Sequence, residues 1–501
     1  MKKIFVIVFI CFSAIRIFAQ SDLLIYEYQN ISGKNHLTNE IIQAKEYVFD
    51  GKIDQSFLDS TKKTVTLLIR GESNDAKWAN NFGKLLLFDL QTGKINWEKN
   101  IQDEYSKFLQ SDDFIVETTE LLSNIIIPET GEFQSQVNTT IYYIDSINKT
   151  GIGYKVNARG EYSNDLEAIN LKDGALLWKR RITHKYGWND ISRLNDSVLI
   201  LLSDGLHAFN IKNGKGWEYK TITGKFDLIS EFEYVVGIAS NAVIESPGIY
   251  FASAENIVKL NTEGKIIWEI PLDKKKVSNS SLFIKDSLLY MINKGYAFNE
   301  NSQINYGIPF FAAFNKHTGN QVFHTALSNS KNLIKNFSIQ NDNVNLIFKD
   351  RILKYSLVNG EKIAEQTFEI ETTGELTDFA DKQTYCMSDS SLYNLTTSDS
   401  TCIYIKTQKN KILVLNRQLE IIKQIDPKAI FNCYLTTGDY KFLAKTYQSV
   451  VIDKDNKIVA DFKVSQNARL IGTRLYDLQS RSLIEIDLGA LLVKMDGTNK
   501  Q

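Results

Sequence analysis

AINLKDGALLW, residues 168–178, is a short apolar segment, a polar turn ending in Gly, and a second apolar segment closed by Trp. The pattern returns as LFDLQTGKINW (87–97), AFNIKNGKGW (208–217), KLNTEGKIIW (259–268), AFNKHTGNQVF (313–323) and KYSLVNGEKIA (354–364). Weaker copies are NIIIPETGEFQSQ (124–136), LVLNRQLEIIKQ (413–424), VVIDKDNKIVAD (450–461) and LIEIDLGALLVKM (483–495). Apolar residues alternate on both arms, which gives each strand one buried face and makes the unit a β-hairpin. Asp89, Asn170, Asn210 and Asn315, four residues before the Gly, suit an Asx-turn. Gly93, Gly174, Gly214, Gly264, Gly319 and Gly360 supply the positive φ that the turn needs. Trp97, Trp178, Trp217 and Trp268 follow three or four residues later, with Phe323 in the matching place.

A second regularity precedes the hairpin. Asp59, Asp196, Asp286, Asp342, Asp399 and Asp439 each open an apolar strand. Each unit therefore reads as strand, hairpin and a further strand, repeating every 38 to 55 residues. That is the size of a four-stranded propeller blade. A β-solenoid repeats at shorter intervals, and an immunoglobulin array at about 100 residues. The expectation is an all-β chain forming a single β-propeller of four-stranded antiparallel blades. Eight blades are expected, within a range of seven to ten. One short helix is expected over 36–47, and 23–29 is expected as an outer strand closing the ring against the C-terminal blade. Polar stretches at 72–84, 151–164 and 296–309 are expected to be inserts at a propeller face.

The chain has 501 residues, 43% hydrophobic and 23% charged, with 58 basic and 59 acidic side chains. This balance excludes intrinsic disorder and a basic nucleic-acid binder. Residues 1–19, MKKIFVIVFICFSAIRIFA, read as a secretory signal: Lys2 and Lys3, an apolar run, and Ala19 before cleavage at Gln20. Their removal leaves 55 basic and 59 acidic side chains, a charge of −4, with no further transmembrane span. The remainder, 20–501, is read as one propeller in an exported protein, periplasmic or extracellular, and monomeric. Cys386, Cys402 and Cys433 remain, an odd number that cannot form a complete disulfide framework. A Cys386–Cys402 bridge and three free thiols are both open at this stage.

The consensus A-x-(D/N)-x-x-(T/N/D)-G-x-x-x-W resembles the tryptophan-docking repeat of pyrroloquinoline quinone (PQQ)-type β-propellers, over roughly residues 60–495. The resemblance implies that Trp97, Trp178, Trp217, Trp268 and Phe323 pack against the neighbouring blade and are structural. It does not extend to the quinoprotein enzymes, which carry a vicinal disulfide and calcium ligands. This chain has no adjacent cysteines, and CxxCH haem attachment is absent. No cofactor is expected and no catalytic or metal-binding set emerges. His36, His184, His207, His317 and His324 show no ligand spacing. The acidic run at 453–456 is a hairpin turn that lacks the Gly and Glu of an EF-hand loop. The KKK at 274–276 reads as a solvated loop.

Five Asp-Ser tripeptides place Ser60, Ser146, Ser197, Ser287 and Ser400 before an aliphatic residue or Thr. They resemble O-glycan acceptors on exported proteins of some Gram-negative bacteria. In repeat and compartment the chain is similar to the propeller family that helps assemble outer-membrane β-barrels. This resemblance implies a non-catalytic scaffold with a protein partner in the cell envelope. The alternative is a secreted glycan-binding protein or enzyme that uses the central funnel.

Overall fold

The computed structural model describes residues 25–489 except 71–81, 103–105, 120, 158, 183–187, 189, 204, 221–239, 254–255, 273–279, 300–301, 306–308, 328–333, 377–383, 389–390, 395–401 and 447. Residues 1–19, read as a signal, and the KKK at 274–276 lie outside the described residues. Within them, eight separate four-stranded antiparallel sheets follow one another along the chain. We number them blades 1 to 8: 52–102, 107–137, 139–181, 190–220, 243–271, 280–326, 336–367 and 372–425. In each, the strands A to D pair in chain order. The chain is an all-β propeller, as its repeat predicts.

An eleven-stranded sheet holds two further four-stranded groups. Blade 9 spans 430–462; blade 10 takes three strands from 469–487 and its fourth, Ile41–Phe49, from the N-terminal region. Counted with these, the units reach the upper end of the range expected from the hairpins. The core lies in the seams between consecutive blades. Leu68 and Leu85 of blade 1 pack with Phe108 and Ile115 of blade 2, and Trp178 of blade 3 with Leu199 and Phe209 of blade 4. The series closes where Tyr47, Tyr476 and Leu483 of blade 10 meet Val65, Leu67 and Phe88 of blade 1. Burying each such side chain contributes about 1.5–3 kcal/mol, so the ring is held by a sum of separate seam cores.

Several local expectations are corrected. The segment 36–47 forms no helix; Ile41–Phe49 is a strand, with Ile42 and Ala44 buried alternately along it. Its backbone pairs with 482–485, so ring closure overrides a weak local helical preference. Of the stretch 23–29, the described residues 25–29 do not pair with the C-terminal blade directly. The strand there is Ile25–Asn35, and it pairs with Ile41–Phe49, which is itself the closing strand. Of the repeat copy at 483–495, the described residues, 483–489, hold the third strand of blade 10, Ser482–Asp487. Residues 151–164 are mostly not an insert: they hold the second strand of blade 3, Thr150–Val156, and the start of the third, Tyr162–Asn170. Alternation hidden among Gly and Asn made them read as a loop.

The stretch 296–309 carries a two-stranded hairpin, Tyr296–Asn299 with Ser302–Asn305, between strands B and C of blade 6. Of the stretch 72–84, only the start of Phe82–Asp89 is described. A second hairpin, Thr384–Ser388 with Ser391–Asn394, leaves blade 8 after its first strand and joins the inner edge of blade 9. Among the described residues no helix is long and apolar enough to cross a membrane.

Candidate functional site

Each repeat hairpin builds one half of a blade-to-blade dock. In blade 3, Ile152, Ala168 and Trp178 lie opposite one another on strands B, C and D. The Asn170 side chain accepts the Lys172 N–H, and the Gly174 N–H donates to the Asn170 carbonyl. Asp89, Asn210 and Asn315 make the same Asx-turn before Gly93, Gly214 and Gly319. The Trp178 ring then lies over Gly214 of blade 4, where φ is +68° and a Cβ would come within 2.7 Å of Cδ2. Its indole N–H donates to the Ile211 carbonyl, three residues before that Gly, at 2.8 Å. Trp97 sits over Gly131 and donates to the Pro128 carbonyl, Trp217 over Gly264 to Thr262, and Trp268 over Gly319 to Lys316. Phe323 lies over Gly360, and Tyr47 of blade 10 lies over Gly93. Gly174 differs, facing Ser135 and Val137 rather than an aromatic ring.

The variable spacing between Gly and Trp has a physical cause. Where four residues separate them, strand D carries a β-bulge before the aromatic residue, as at Trp97, Trp178, Trp268 and Phe323. Where three separate them, at Trp217, the pairing runs without one. A bulge adds one residue and re-aims the next side chain, so both spacings deliver the ring to the turn Gly of the next blade.

Two sets of docking residues are absent from the sequence consensus. Phe323 has no N–H to give, and the Leu357 carbonyl opposite it accepts from the Tyr290 hydroxyl at 2.9 Å. At the closing seam the Tyr476 hydroxyl donates to the Leu90 carbonyl at 2.9 Å. Tyr290 stands opposite Ala313, the place Ile152 takes opposite Ala168. Two residues after the aromatic, Lys99, Arg180 and Thr325 donate to the carbonyls of Gly131, Gly214 and Gly360. The signal W-x-(K/R) or F-x-T was present in the sequence. These contacts matter because a buried carbonyl left without a donor costs about 1–3 kcal/mol.

Ser60, Ser146, Ser197 and Ser287 are exposed, each in the turn between the first two strands of blades 1, 3, 4 and 6. Ser400 and His184 lie outside the described residues. His36 contacts Asp461 at 2.6 Å, His207 is buried 3.6 Å from Glu218, His317 lies in a repeat turn and His324 stacks on Phe310. These histidines are thus spread over the N-terminal hairpin and blades 4 and 6 and are not brought together. Cys386, Cys402 and Cys433 are free thiols. The acidic run opens with an Asx-turn, Asp453 accepting from the Asp455 N–H. Among the described residues no three His, Cys, Asp or Glu side chains gather to hold a metal ion.

Two hollows remain. One, of about 680 Å³, lies at the seam of blades 6 and 7 beside the dock that uses Phe323, and is lined by Thr325, Tyr355, Gly360 and Glu365 among others. Three of its charges are paired: Lys362 and Arg351 each meet Glu365, at 3.0 and 3.1 Å, and the two cations hold that carboxyl below its usual range. The other, of about 450 Å³, lies where blades 9, 10 and 1 meet and is lined by amides and hydroxyls, including Gln55, Ser56, Gln466, Asn467 and Gln479. The Gln55 Oε1 is buried there without a hydrogen-bond partner among the described residues.

The N-terminal hairpin departs from the repeat. Ile25–Asn35 pairs along almost its whole length with the closing strand, while its other edge meets blade 9 only at Gly33–Asn35. Gly33 permits that meeting, since a Cβ there would collide with the Asp461 carbonyl. From Ile25 to Ile31 the outer edge has no partner strand among the described residues. Tyr26, Tyr28 and Ile31 are 48%, 50% and 67% exposed there, and the two rings stack at 6.4 Å.

No protein-family model and no curated protein matches the chain. Among solved structures it is similar to BamB from Moraxella catarrhalis, with 14% identity, a TM-score of 0.35, and coverage of 71% of this chain and 96% of that one. It is also similar to a eukaryotic initiation factor (9%, TM-score 0.39, 69% and 88% covered) and to KlHsv2 with loop 6CD replaced by a Gly-Ser linker (8%, 0.31, 75% and 99%). At these identities and scores the likenesses say nothing of function; the propeller rests on the sheets and their seams.

Proposed function

We propose that the protein is an exported, non-catalytic β-propeller that serves as a protein-interaction scaffold in the cell envelope. The observation that carries this reading is the N-terminal hairpin. One strand of it completes blade 10, and the other carries exposed aromatic side chains on an edge that has no partner strand from Ile25 to Ile31 among the described residues. The charged N-terminus and apolar run of residues 1–19 support export. The reading takes the chain as a monomer with one protein partner, and takes Trp97, Trp178, Trp217, Trp268 and Phe323 as structural. Crosslinked pull-down of the full chain from envelope fractions tests it. Reproducible recovery of one partner is expected, and recovery of none under native expression would reject the scaffold.

A second reading has its own observation. The hollow at blades 9, 10 and 1 presents amides and hydroxyls, groups that both donate and accept, as a glycan does. Glycan-array binding lost on Gln55→Leu would support it, and an empty array would remove it. The exposed serines Ser60, Ser146, Ser197 and Ser287, with Ser400, are proposed O-glycan acceptors. Intact mass of the native exported protein decides: no excess over the polypeptide excludes modification.

A further inference from the structure

We infer that the partner binds by adding an extended strand to the open edge of Ile25–Ile31, antiparallel to it and in line with the last strand of blade 9. This rests on the scaffold reading above and names the site and the chemistry. The same edge already accepts a strand: Gly33, Lys34 and Asn35 pair with Phe462, Asp461 and Ala460. The ladder stops there because the chain turns away, with the Lys463 N–H donating to the Ser32 hydroxyl at 3.2 Å. A partner strand running in the direction of 458–462 takes up the ladder where that strand leaves it. It satisfies backbone groups that otherwise face water, which is the source of affinity in strand addition.

The edge is also unlike one built to resist pairing. Native edge strands are blunted by Lys, Pro, bulges or shortness. Here seven residues, Ile25–Ile31, hold no Lys and no Pro, and their register to the closing strand is regular as far as Ile31. The single charge, Glu27, is paired to Lys45 at 3.1 Å. Tyr26 and Tyr28 project on one side, two residues apart, and present a stacked aromatic platform. The ligand is therefore an extended segment of another protein with β-branched or aromatic side chains at alternate positions, which lie beside the two tyrosines. Specificity comes from that platform and affinity from the main chain.

The test uses the full chain in its native host with a photo-crosslinking residue at position 28 or 29, and at position 363 on the outer strand of blade 7 as control. Crosslinks from 28 and 29 to one segment of one partner, absent from 363, are expected. A synthetic peptide of that segment, added to the purified chain, is expected to slow amide exchange over 25–31 at least tenfold. The double variant Tyr26→Ser, Tyr28→Ser is expected to weaken peptide binding at least tenfold while the seam amides of blades 3 and 4 keep their protection. Capture of a partner at 363 alone, or equal binding by the double variant with 25–31 unprotected, overturns the inference and leaves the scaffold standing. A crosslinked product made only of this chain overturns it in favour of self-association. Capture at none of the three positions, together with an empty pull-down, removes both.

Discussion

The seam between blades 3 and 4 and the seam between blades 6 and 7 meet the same requirement by different side chains. In each, a turn Gly at positive φ receives an aromatic ring from the preceding blade, and the carbonyl three residues before that Gly receives a hydrogen bond. In the first seam Trp178 does both, from strand D. In the second, Phe323 supplies the ring from strand D, and Tyr290 supplies the donor from strand B. The closing seam repeats the second solution, with Tyr47 over Gly93 and Tyr476 on the Leu90 carbonyl. What the repeat preserves is a filled contact and a satisfied carbonyl, and tryptophan is one way of achieving both.

The largest effects come from emptying a dock. Trp178→Ala removes a ring that is 8% exposed and strips the Ile211 carbonyl of its donor, so a loss of about 3–5 kcal/mol is expected. Phe323→Ala is expected to cost less, because Tyr290 keeps the Leu357 carbonyl bonded. Gly214→Ala adds a Cβ against the indole and forces a residue to positive φ, for about 2–4 kcal/mol. Gly438→Ala, also at positive φ but with nothing within 4 Å, is the control and should cost about 1–2 kcal/mol. Urea midpoints measure all four. Equal losses at Gly214 and Gly438 would mean that backbone strain, not the ring contact, sets the need for Gly.

The next pair separates ring from donor. Trp178→Phe keeps an aromatic ring and leaves the Ile211 carbonyl without its indole donor; Tyr290→Phe keeps its ring and leaves the Leu357 carbonyl without the hydroxyl. Each is expected to lose about 1–3 kcal/mol. Ile152 stands where Tyr290 stands, so adding Ile152→Tyr to Trp178→Phe transplants the second solution into the first seam. Partial recovery of the urea midpoint is expected. A further loss would show that the two solutions depend on more than the donor.

How much of this was legible follows from the same contrast. Gly followed three or four residues later by Trp stands out because no other residues serve a positive φ and a wide flat ring so well. The hairpins, blade size and propeller were readable from them. Tyr290 and Tyr476 were not, since a tyrosine in an apolar strand looks like ordinary core and its hydroxyl partner lies in the next blade. The strand Ile41–Phe49 was misread because the blade it completes pairs with it from more than 430 residues away. The same distance hid the open edge of Ile25–Ile31, whose surplus is visible only once blade 10 is complete. The hairpin 384–394 defeats any repeat argument, since it starts in one blade and pairs with another.

The seam between blades 1 and 2 adds charge to the comparison. Lys99 donates to the Gly131 carbonyl, and Glu117 is 4% exposed nearby, accepting from Asn124 at 2.9 Å. Burial raises the Glu117 carboxyl above its usual range, and hydrogen bonds from Asn124 and Ser106 offset this only in part. A carboxyl whose folded pKa is raised binds its proton more tightly in the native state, so its ionisation costs stability above that pKa and the cost is relieved as pH falls. Glu117→Gln is therefore expected to raise the melting temperature modestly at pH 7, with the gain shrinking toward pH 4.5, the unperturbed value. Melting curves across that range check the sign. A gain that grew on acidification would mean that the ionised carboxylate, through Lys99, stabilises the seam.

The smallest effect is expected where both solutions coexist. At the seam of blades 5 and 6 the Lys316 carbonyl faces the Trp268 indole at 3.2 Å, the Lys259 ammonium at 2.9 Å and the Tyr250 hydroxyl at 3.4 Å. A carbonyl has two lone pairs, so the longest of three donors is the one it can lose. Tyr250 stands opposite Lys259, the strand B place that Tyr290 holds in the next blade. Tyr250→Phe should therefore change the urea midpoint by no more than about 0.5 kcal/mol, although its counterpart Tyr290→Phe costs several times as much. Removing the indole as well, with Trp268→Phe, should expose the hidden contribution: the Tyr250 hydroxyl then shortens its bond and its later deletion costs more than it did alone. The double-mutant cycle measures that coupling. Strict additivity would mean that the two donors act on separate groups and that indole and hydroxyl are not alternatives for one carbonyl.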